Sequence, residues 1–176
     1  MKIAVYTIAL NEEQFVYRWS DSAIEADYRF ILDTGSTDNT VAVARGAGVH
    51  VEQWRPDPWR FDEARNKSLE FLPDDIDICI ALDMDEYLLP GWRQVLEEIN
   101  AGTNRPRYKY VWSWNDDGSE GLVYGGDKIH ARHGYEWKHP VHKVLKPQQT
   151  EIQQWVPGLE IHHYPDPTKS RSQYLP

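Results

Sequence analysis

The stretch "ICIALDMDEYLLPGW", residues 78–92, runs from an almost wholly apolar segment into three acids, Asp83, Asp85 and Glu86, and then into a Pro-Gly break. A short unbroken apolar run reads as a central strand covered on both faces, as in a parallel sheet. Its acids then lie at the strand's carboxyl end, the edge where open α/β sheets gather ligands. Two aspartates at i and i+2 of an extended chain project to one side, about 6–7 Å apart, which suits one divalent cation or a cation plus a hydroxyl. Hard carboxylate oxygens favour Mg2+ or Mn2+. Acids at strand ends also serve as solvated turn formers, but Glu86 adds a third charge that is costly without a cation nearby.

The segments upstream of this strand repeat its logic. "KIAVYTIA" (2–9) is apolar and β-rich, and Asn11-Glu12-Glu13 opens a helix-like stretch to about Glu25. "YRFILD" (28–33) predicts a second strand and "DNTVAVARGAG" (38–48) a second helix. "VHVEQW" (49–54) predicts a third strand, and "RFDEARNKSLEFL" (60–72) a helix that ends at Pro73. This alternation predicts an α/β domain with a mostly parallel sheet flanked by helices. The strand ends to read are Thr7 to Glu12, Asp33 to Asp38, and Asp83 to Glu86. After the helix "GWRQVLEEINAG" (91–102) the character changes: "RYKYVWSW" and "EGLVYGGDKIHAR" alternate and flank the turn sequence "NDDGS", a hairpin pattern. A mixed or antiparallel C-terminal part follows. No repeat or linker divides residues 1–176, so one domain is expected.

Asp33 ends its strand facing the crevice, where its carboxylate suits a base N–H or a ribose hydroxyl. Beyond it, "TGSTDNT" puts Gly, Ser and Thr at a helix start. Either an anion takes the free amides there, or Ser36, Thr37 or Asp38 caps the helix. The Gly-Lys-Ser/Thr ending of a P-loop is missing.

The composition bounds the function. A chain of 176 residues with 40% hydrophobic content can bury one sizeable core. Its 19 basic against 28 acidic residues, net charge -9, disfavour a nucleic-acid polymer or an anionic membrane as partner. The one cysteine, Cys79, lies in the apolar run and reads as a small buried hydrophobe, so a reducing, cytoplasmic location is expected. No apolar stretch approaches the ~20 residues of a membrane span, and "MKIAVYTIALNEE" reads as a core strand and not as a cleaved leader. The 8 Trp and 10 Tyr are many for this length. They read either as ordinary packing or as a cleft that stacks on apolar ring faces.

"TIALNEE", "ILDTGSTDNT", "FDEARNKSL" and "ALDMDE", in this order and spacing, resemble family 2 glycosyltransferases of the GT-A fold, in particular a bacterial and phage branch with LDTGSTD, ARN and DxD motifs. The resemblance covers residues 2 to about 93. It implies a metal-dependent inverting transfer of a sugar from a nucleoside-diphosphate donor to a glycan, protein or small-molecule acceptor, with a nucleotide-binding half (about 1–93) and an acceptor and metal half (about 94–176). Thr7, Ala9, Asn11 and Glu12 would line the nucleotide pocket, Asp33 would hold the base or ribose, and Arg65 would reach the nucleotide or diphosphate. Asp83 and Asp85 would be the DxD pair for Mn2+ or Mg2+, with Asp85 the direct ligand and Asp83 on the ribose or a metal-bound water. "GYEWKHPVHKVL" and "LEIHHYPDP" resemble later segments of the same branch more loosely, which implies His163, or alternatively His142, as a third metal ligand.

One departure matters. The branch usually reads His-Glu where this chain has His142-Lys143, so the expected acid is missing there. An inverting transfer needs a base for the acceptor hydroxyl, and Asp116, Asp117 and Glu136 are the candidates. Lys143 either contacts phosphate or is solvated. The ending "TKSRSQYLP" is abrupt for the family and reads as a fragment or a reduced viral form. Three rival readings remain. A GT-A-like module that binds sugar nucleotide or glycan without turnover is one. A haloacid-dehalogenase-like phosphatase, whose first motif "ICIALDMDEYL" also resembles, is a second; Tyr87 in place of Thr and the lack of a clear later Asp pair disfavour it. A nucleotidyltransferase is disfavoured because "YTIALNEEQF" lacks a Gly-rich basic loop.

Overall fold

The computed structural model describes residues 1–168; the tail from Lys169, most of "TKSRSQYLP", lies outside the described residues. The first half alternates as its pattern predicts: β1 (Ile3–Ala9), α1 (Val16–Ser22), β2 (Tyr28–Asp33), α2 (Thr40–Gly46), β3 (His50–Gln53), α3 (Phe61–Glu70) and β4 (Ile78–Ala81). The strands order as β3-β2-β1-β4, all parallel. Period-two alternation splits their side chains between two cores. Ile3, Val5, Ile31, Ile78 and Ile80 face one apolar cluster, and Ala4, Tyr6, Phe30, Leu32 and Cys79 face the other. Cys79 is fully buried, and burial pushes its thiol up to about 12, so it packs as a hydrophobe.

The second half builds β5 (Glu86–Leu88), α4 (Trp92–Glu97), β6 (Arg105–Val111), β7 (Val123–Gly126), β8 (Ile129–Ala131), β9 (Tyr135–Lys138), β10 (Val144–Pro147) and β11 (Gln153–His163). A mixed sheet of order β5-β11-β6-β7 shares the first core through Tyr108, Tyr110, Val156, Leu159 and Ile161. The β9–β10 ribbon covers the other core with Trp137 and Leu145. The expected hairpin forms between β6 and β7. Its second arm, however, breaks at Gly126–Lys128, and β8 leaves to pair antiparallel with β4 in the main sheet. That exchange carries Lys128 to the end of β4, where its carbonyl accepts from Ala81 N–H at 3.0 Å.

Two helix starts differ from the sequence pattern. The stretch after Asn11 makes a 3-10 turn over Glu13–Phe15 before α1, and α2 begins at Thr40, later than the pattern suggests. No helix among the described residues is long and apolar enough to cross a membrane.

Trp19, fully buried on α1, donates its indole N–H to the Leu82 carbonyl at 2.8 Å and so fixes the residue that precedes the acidic turn. Trp19→Phe leaves that carbonyl unpaired and removes ring volume. Chemical denaturation should show a loss of about 2–3 kcal/mol.

Candidate active site

β4 stops at Ala81, and residues 83–86 form a turn instead of continuing the strand. Glu86 N–H donates to the Asp83 carbonyl at 2.9 Å, and Asp83 N–H donates to Glu86 Oε2 at 2.9 Å. Met84, between the two aspartates, is 3% exposed and anchors the turn in the core. The extended geometry expected for Asp83 and Asp85 is therefore replaced, and their carboxylates take separate partners.

Glu86 is 1% exposed, and such a buried acid needs full pairing. Lys128 Nζ donates to its two oxygens at 2.7 and 2.8 Å, and the Tyr110 hydroxyl donates to Oε1 at 2.6 Å. Lys128 also reaches Asp83 Oδ2 at 3.2 Å, while Asp83 Oδ1 is ion-paired with Arg65. Burial alone would raise the Asp83 carboxyl and lower the two cations. The mutual charges win, so Asp83 stays well below the usual carboxylate range and Lys128 and Arg65 stay above their ordinary values. The counter-charge expected of a metal is thus supplied here by the protein. Both Asp83 oxygens are engaged by cations of the protein in this arrangement.

Arg65 is 2% exposed, with its guanidinium 4.8 Å from the Trp137 ring. Its Nε and Nη1 are buried without a hydrogen-bond partner among the described residues. Asn66, the next residue, accepts from Trp137 N–H at 2.8 Å and donates to the Trp137 carbonyl at 2.9 Å, binding β9 to α3 as a strand neighbour would. The Trp137 indole donates to the Tyr6 hydroxyl at 2.9 Å, and that hydroxyl donates to His130 Nε2 at 2.9 Å. Burial pushes His130 down to about 3, so it stays neutral, with Nδ1–H on the Ala131 carbonyl.

Asp85 meets His163, the last residue of β11, at 3.1 Å between Oδ2 and Nε2. His163 Nδ1–H donates to the Trp112 carbonyl at 2.9 Å, which leaves Nε2 as the atom that faces Asp85. Burial would lower the imidazole, but Asp85 and that carbonyl hold it above its ordinary value. Two ligands at ~2.1 Å from one octahedral cation and at right angles lie ~3 Å apart, so this pair fits adjacent coordination positions of Mg2+ or Mn2+. A backbone-fixed tautomer is also what metal-binding histidines require. A second cluster, Glu120, Glu160 and His162, is no rival, because Lys109 Nζ bridges its two acids at 2.7 and 3.1 Å.

At the end of β2, Asp33 is fully buried. Its Oδ2 accepts from Gly35 and Ser36 N–H at 3.3 and 3.1 Å and from Gln53 at 3.4 Å, while Oδ1 is buried with no partner among the described residues. Beyond it, the amides expected for an anion are already filled. Asn11 Oδ1 takes Thr37 and Asp38 N–H, Glu13 takes Asn39, and Asp38 caps Thr40 at 2.9 Å. Asn11 achieves this from a left-handed conformation, φ 54°. Its side-chain oxygen is held in this latch. Glu12 N–H donates to the Thr40 hydroxyl at 2.8 Å. Thr7 and Ala9 are buried in β1, Ala9 in register with Asp33.

The proposed bases are not brought to this site. Asp117 is exposed and closes the β6–β7 turn by accepting from Ser119 N–H at 2.9 Å, and Asp116 is exposed beside it. Glu136, on the face of β9 opposite Trp137, pairs with Lys138 at 2.8 Å and Gln148 at 2.7 Å. His142 is exposed on the strap 139–143, and it is His163 that meets Asp85. Lys128, Tyr110 and Asn66 escaped the sequence reading. Lys128 carries no local motif and is found only through the pairing of β8 with β4, whereas Asn66 stands in the "ARN" segment already singled out.

No protein-family model matches the sequence, and no curated protein matches it. Among solved structures, S. aureus TarS aligns with TM-score 0.54 at 17% identity, over 69% of this chain and 23% of that one. Glucosyl-3-phosphoglycerate synthase from Mycobacterium tuberculosis, in complex with Mn2+, uridine-diphosphate and glucosyl-3-phosphoglycerate, aligns with TM-score 0.48 at 27% identity, over 62% of this chain and 44% of that one. The chain therefore spans less than half the length of either. The likeness to TarS speaks for the fold alone. That fold is the GT-A α/β arrangement anticipated from the sequence, a mostly parallel sheet flanked by helices with a mixed C-terminal part.

Lys128→Met strands the Glu86 carboxylate in the core, and equilibrium unfolding should register a loss of about 3–5 kcal/mol. Adding Glu86→Gln should recover part of it, because the group left behind is then neutral.

Proposed function

We propose that this chain is a metal-dependent glycosyltransferase of the family 2 type, moving a sugar with inversion from a nucleoside-diphosphate donor to an acceptor. The observation that carries the reading is the placement of two unlike polar sites on either side of β1. Asp33 presents a buried unpaired carboxylate oxygen at the end of β2, and the Asp85–His163 pair with Arg65 lies beyond β4. Strands β2 and β4 are two spacings apart, about 10 Å, a span that suits a nucleoside at one site and its diphosphate at the other.

In this reading Asp33 Oδ1 accepts a donor hydrogen from base or ribose, which relieves an otherwise costly buried acceptor. Asp85 and His163 hold Mn2+ or Mg2+, which when bound supplies positive charge for the diphosphate leaving group. Arg65 and Lys128 hold Asp83 ionised, and His163 is oriented by the Trp112 carbonyl. None of Asp116, Asp117 and Glu136 is tied to this turn by a hydrogen bond or ion pair, so the acceptor's base is not assigned among them. That same observation favours a second reading, a donor-binding module without turnover. A phosphatase is less well supported, since an Asp83 nucleophile would have both oxygens already paired with cations.

Incubation with a panel of sugar nucleotides and Mn2+ separates these readings. Slow release of nucleoside diphosphate supports the transferase; binding without release supports the module; phosphate from phosphomonoesters supports the hydrolase.

Asp85→Ala should abolish the Mn2+-dependent part of donor affinity in calorimetry, at nearly unchanged melting temperature. An unaltered metal effect overturns the ligand assignment. Asp33→Asn should weaken binding of free nucleoside diphosphate about tenfold, with or without metal, as expected for one buried charged hydrogen bond.

A further inference from the structure

The aromatic residues divide by exposure. Trp19, Trp92 and Trp137 are buried and pack the two cores, whereas Trp112 is 44% and Tyr124 47% exposed. These last two stand on the two arms of one hairpin. Tyr110 of β6 is in register with Tyr124 of β7, and the pairing runs on past the strands, where Trp112 N–H donates to the Leu122 carbonyl at 2.9 Å. Side chains two residues apart on an extended chain share a face, so Tyr110, Trp112, Leu122 and Tyr124 project to one side. Leu122 is exposed as well.

That side is the one that meets the acidic turn. The Tyr110 hydroxyl donates to Glu86, and the Tyr124 ring lies 5.1 Å from the Tyr110 ring. Trp112 adjoins the Asp85–His163 pair: its ring stacks on His163 with 5.9 Å between centroids and 18° between planes. His163 Nε2 in turn faces Asp85 at 3.1 Å. The exposed apolar side chains are therefore not scattered but continuous with the candidate active site, a setting in which such a patch marks a ligand.

The chemistry of the patch selects its occupant. Cations of the hairpin are committed elsewhere: Lys109 bridges Glu120 and Glu160, and Arg107 donates to the Gly125 and Gly126 carbonyls. Lys128, just beyond β7, is held by Asp83 and Glu86. A phosphorylated or acidic ligand finds no charge here to meet its own. Three partly exposed side chains also fall well short of the ~800 Å² per partner of a stable protein interface. They match one or two pyranose rings, whose C–H faces pack on flat aromatic surfaces while the hydroxyls stay in water.

We propose that Trp112, Leu122 and Tyr124 form a platform that receives a neutral glycan, so that the acceptor is a carbohydrate. The inference rests on the glycosyltransferase reading for the role of that glycan. Trp112 is its anchor, and Tyr124 flanks it. His163, between Trp112 and Asp85, then separates acceptor from donor by a single side chain.

The test is saturation-transfer NMR of the full chain with cellotriose, maltotriose and triacetylchitotriose, each with and without uridine diphosphate and Mn2+. At least one should bind wild type, with saturation concentrated on its ring C–H protons. For that sugar, Trp112→Ala should lose about tenfold in affinity, Tyr124→Ala a smaller amount, and Trp112→Phe should retain most of it. Trp155→Ala, which removes a similarly exposed indole from the opposite face of the same sheet, should match wild type. Melting curves check that each variant is folded. No trisaccharide bound by wild type under either condition, or unaltered affinity in Trp112→Ala, overturns the platform. So does concentration-dependent dimerisation that Trp112→Ala abolishes, because a second copy is then the occupant. If a glycan binds through Trp112 but no sugar nucleotide is bound, the platform stands and the transferase reading fails. If donors turn over with Mn2+ but no glycan binds, the platform fails and the transferase reading stands.

Discussion

A single buried carboxylate governs the architecture of the site. Glu86 sits where β4 ends and β5 begins, and no carboxylate survives at 1% exposure without strong partners. Meeting that demand draws in the Asp83 amide from the turn, Tyr110 from β6 and Lys128 from the end of β8. Three separate elements thereby converge on one side chain. The exchange of β8 from the hairpin into the main sheet is the step that makes this possible.

That convergence changes what the neighbouring aspartates can do. With Asp83 committed to Arg65 and Lys128, negative charge at the turn falls mainly to Asp85, paired with a histidine instead of a second acid. On the proposed reading, a dication held by one carboxylate and one imidazole would keep half of its positive charge, and an anionic ligand that completed its shell would be coupled to the metal more tightly than in a polycarboxylate cage.

Much of the fold was legible because β1, β2 and β4 carry runs that only a doubly covered sheet accommodates. "YRFILD" coincides with β2 residue for residue. The three-residue strands β5 and β8 were not legible, since so few residues show no periodicity and their pairing is decided by tertiary partners. Asp33, Asp85, Arg65 and His163 were legible as polar residues at strand ends or in recurring motifs, and the structure sets them around the ends of β2 and β4. The spacing of Asp83 and Asp85 misled, because i and i+2 share a side only in an extended chain, and the buried Met84 imposes a turn. The charge balance was hidden because Lys128 lies far along the chain from the acids it neutralises. The helix start after Asp33 was ambiguous for a different reason: the acceptors that fill its amides, Asn11 and Glu13, come from another loop.

The Asn11 latch has a thermodynamic consequence. Loops after β1 and β2 are stitched together by amide donors on Thr37, Asp38 and Asn39, so neither has freedom left to lose when a ligand arrives. Ordering a loop during association consumes interaction energy that would otherwise appear as affinity. Here that entropy is spent during folding, before any ligand arrives.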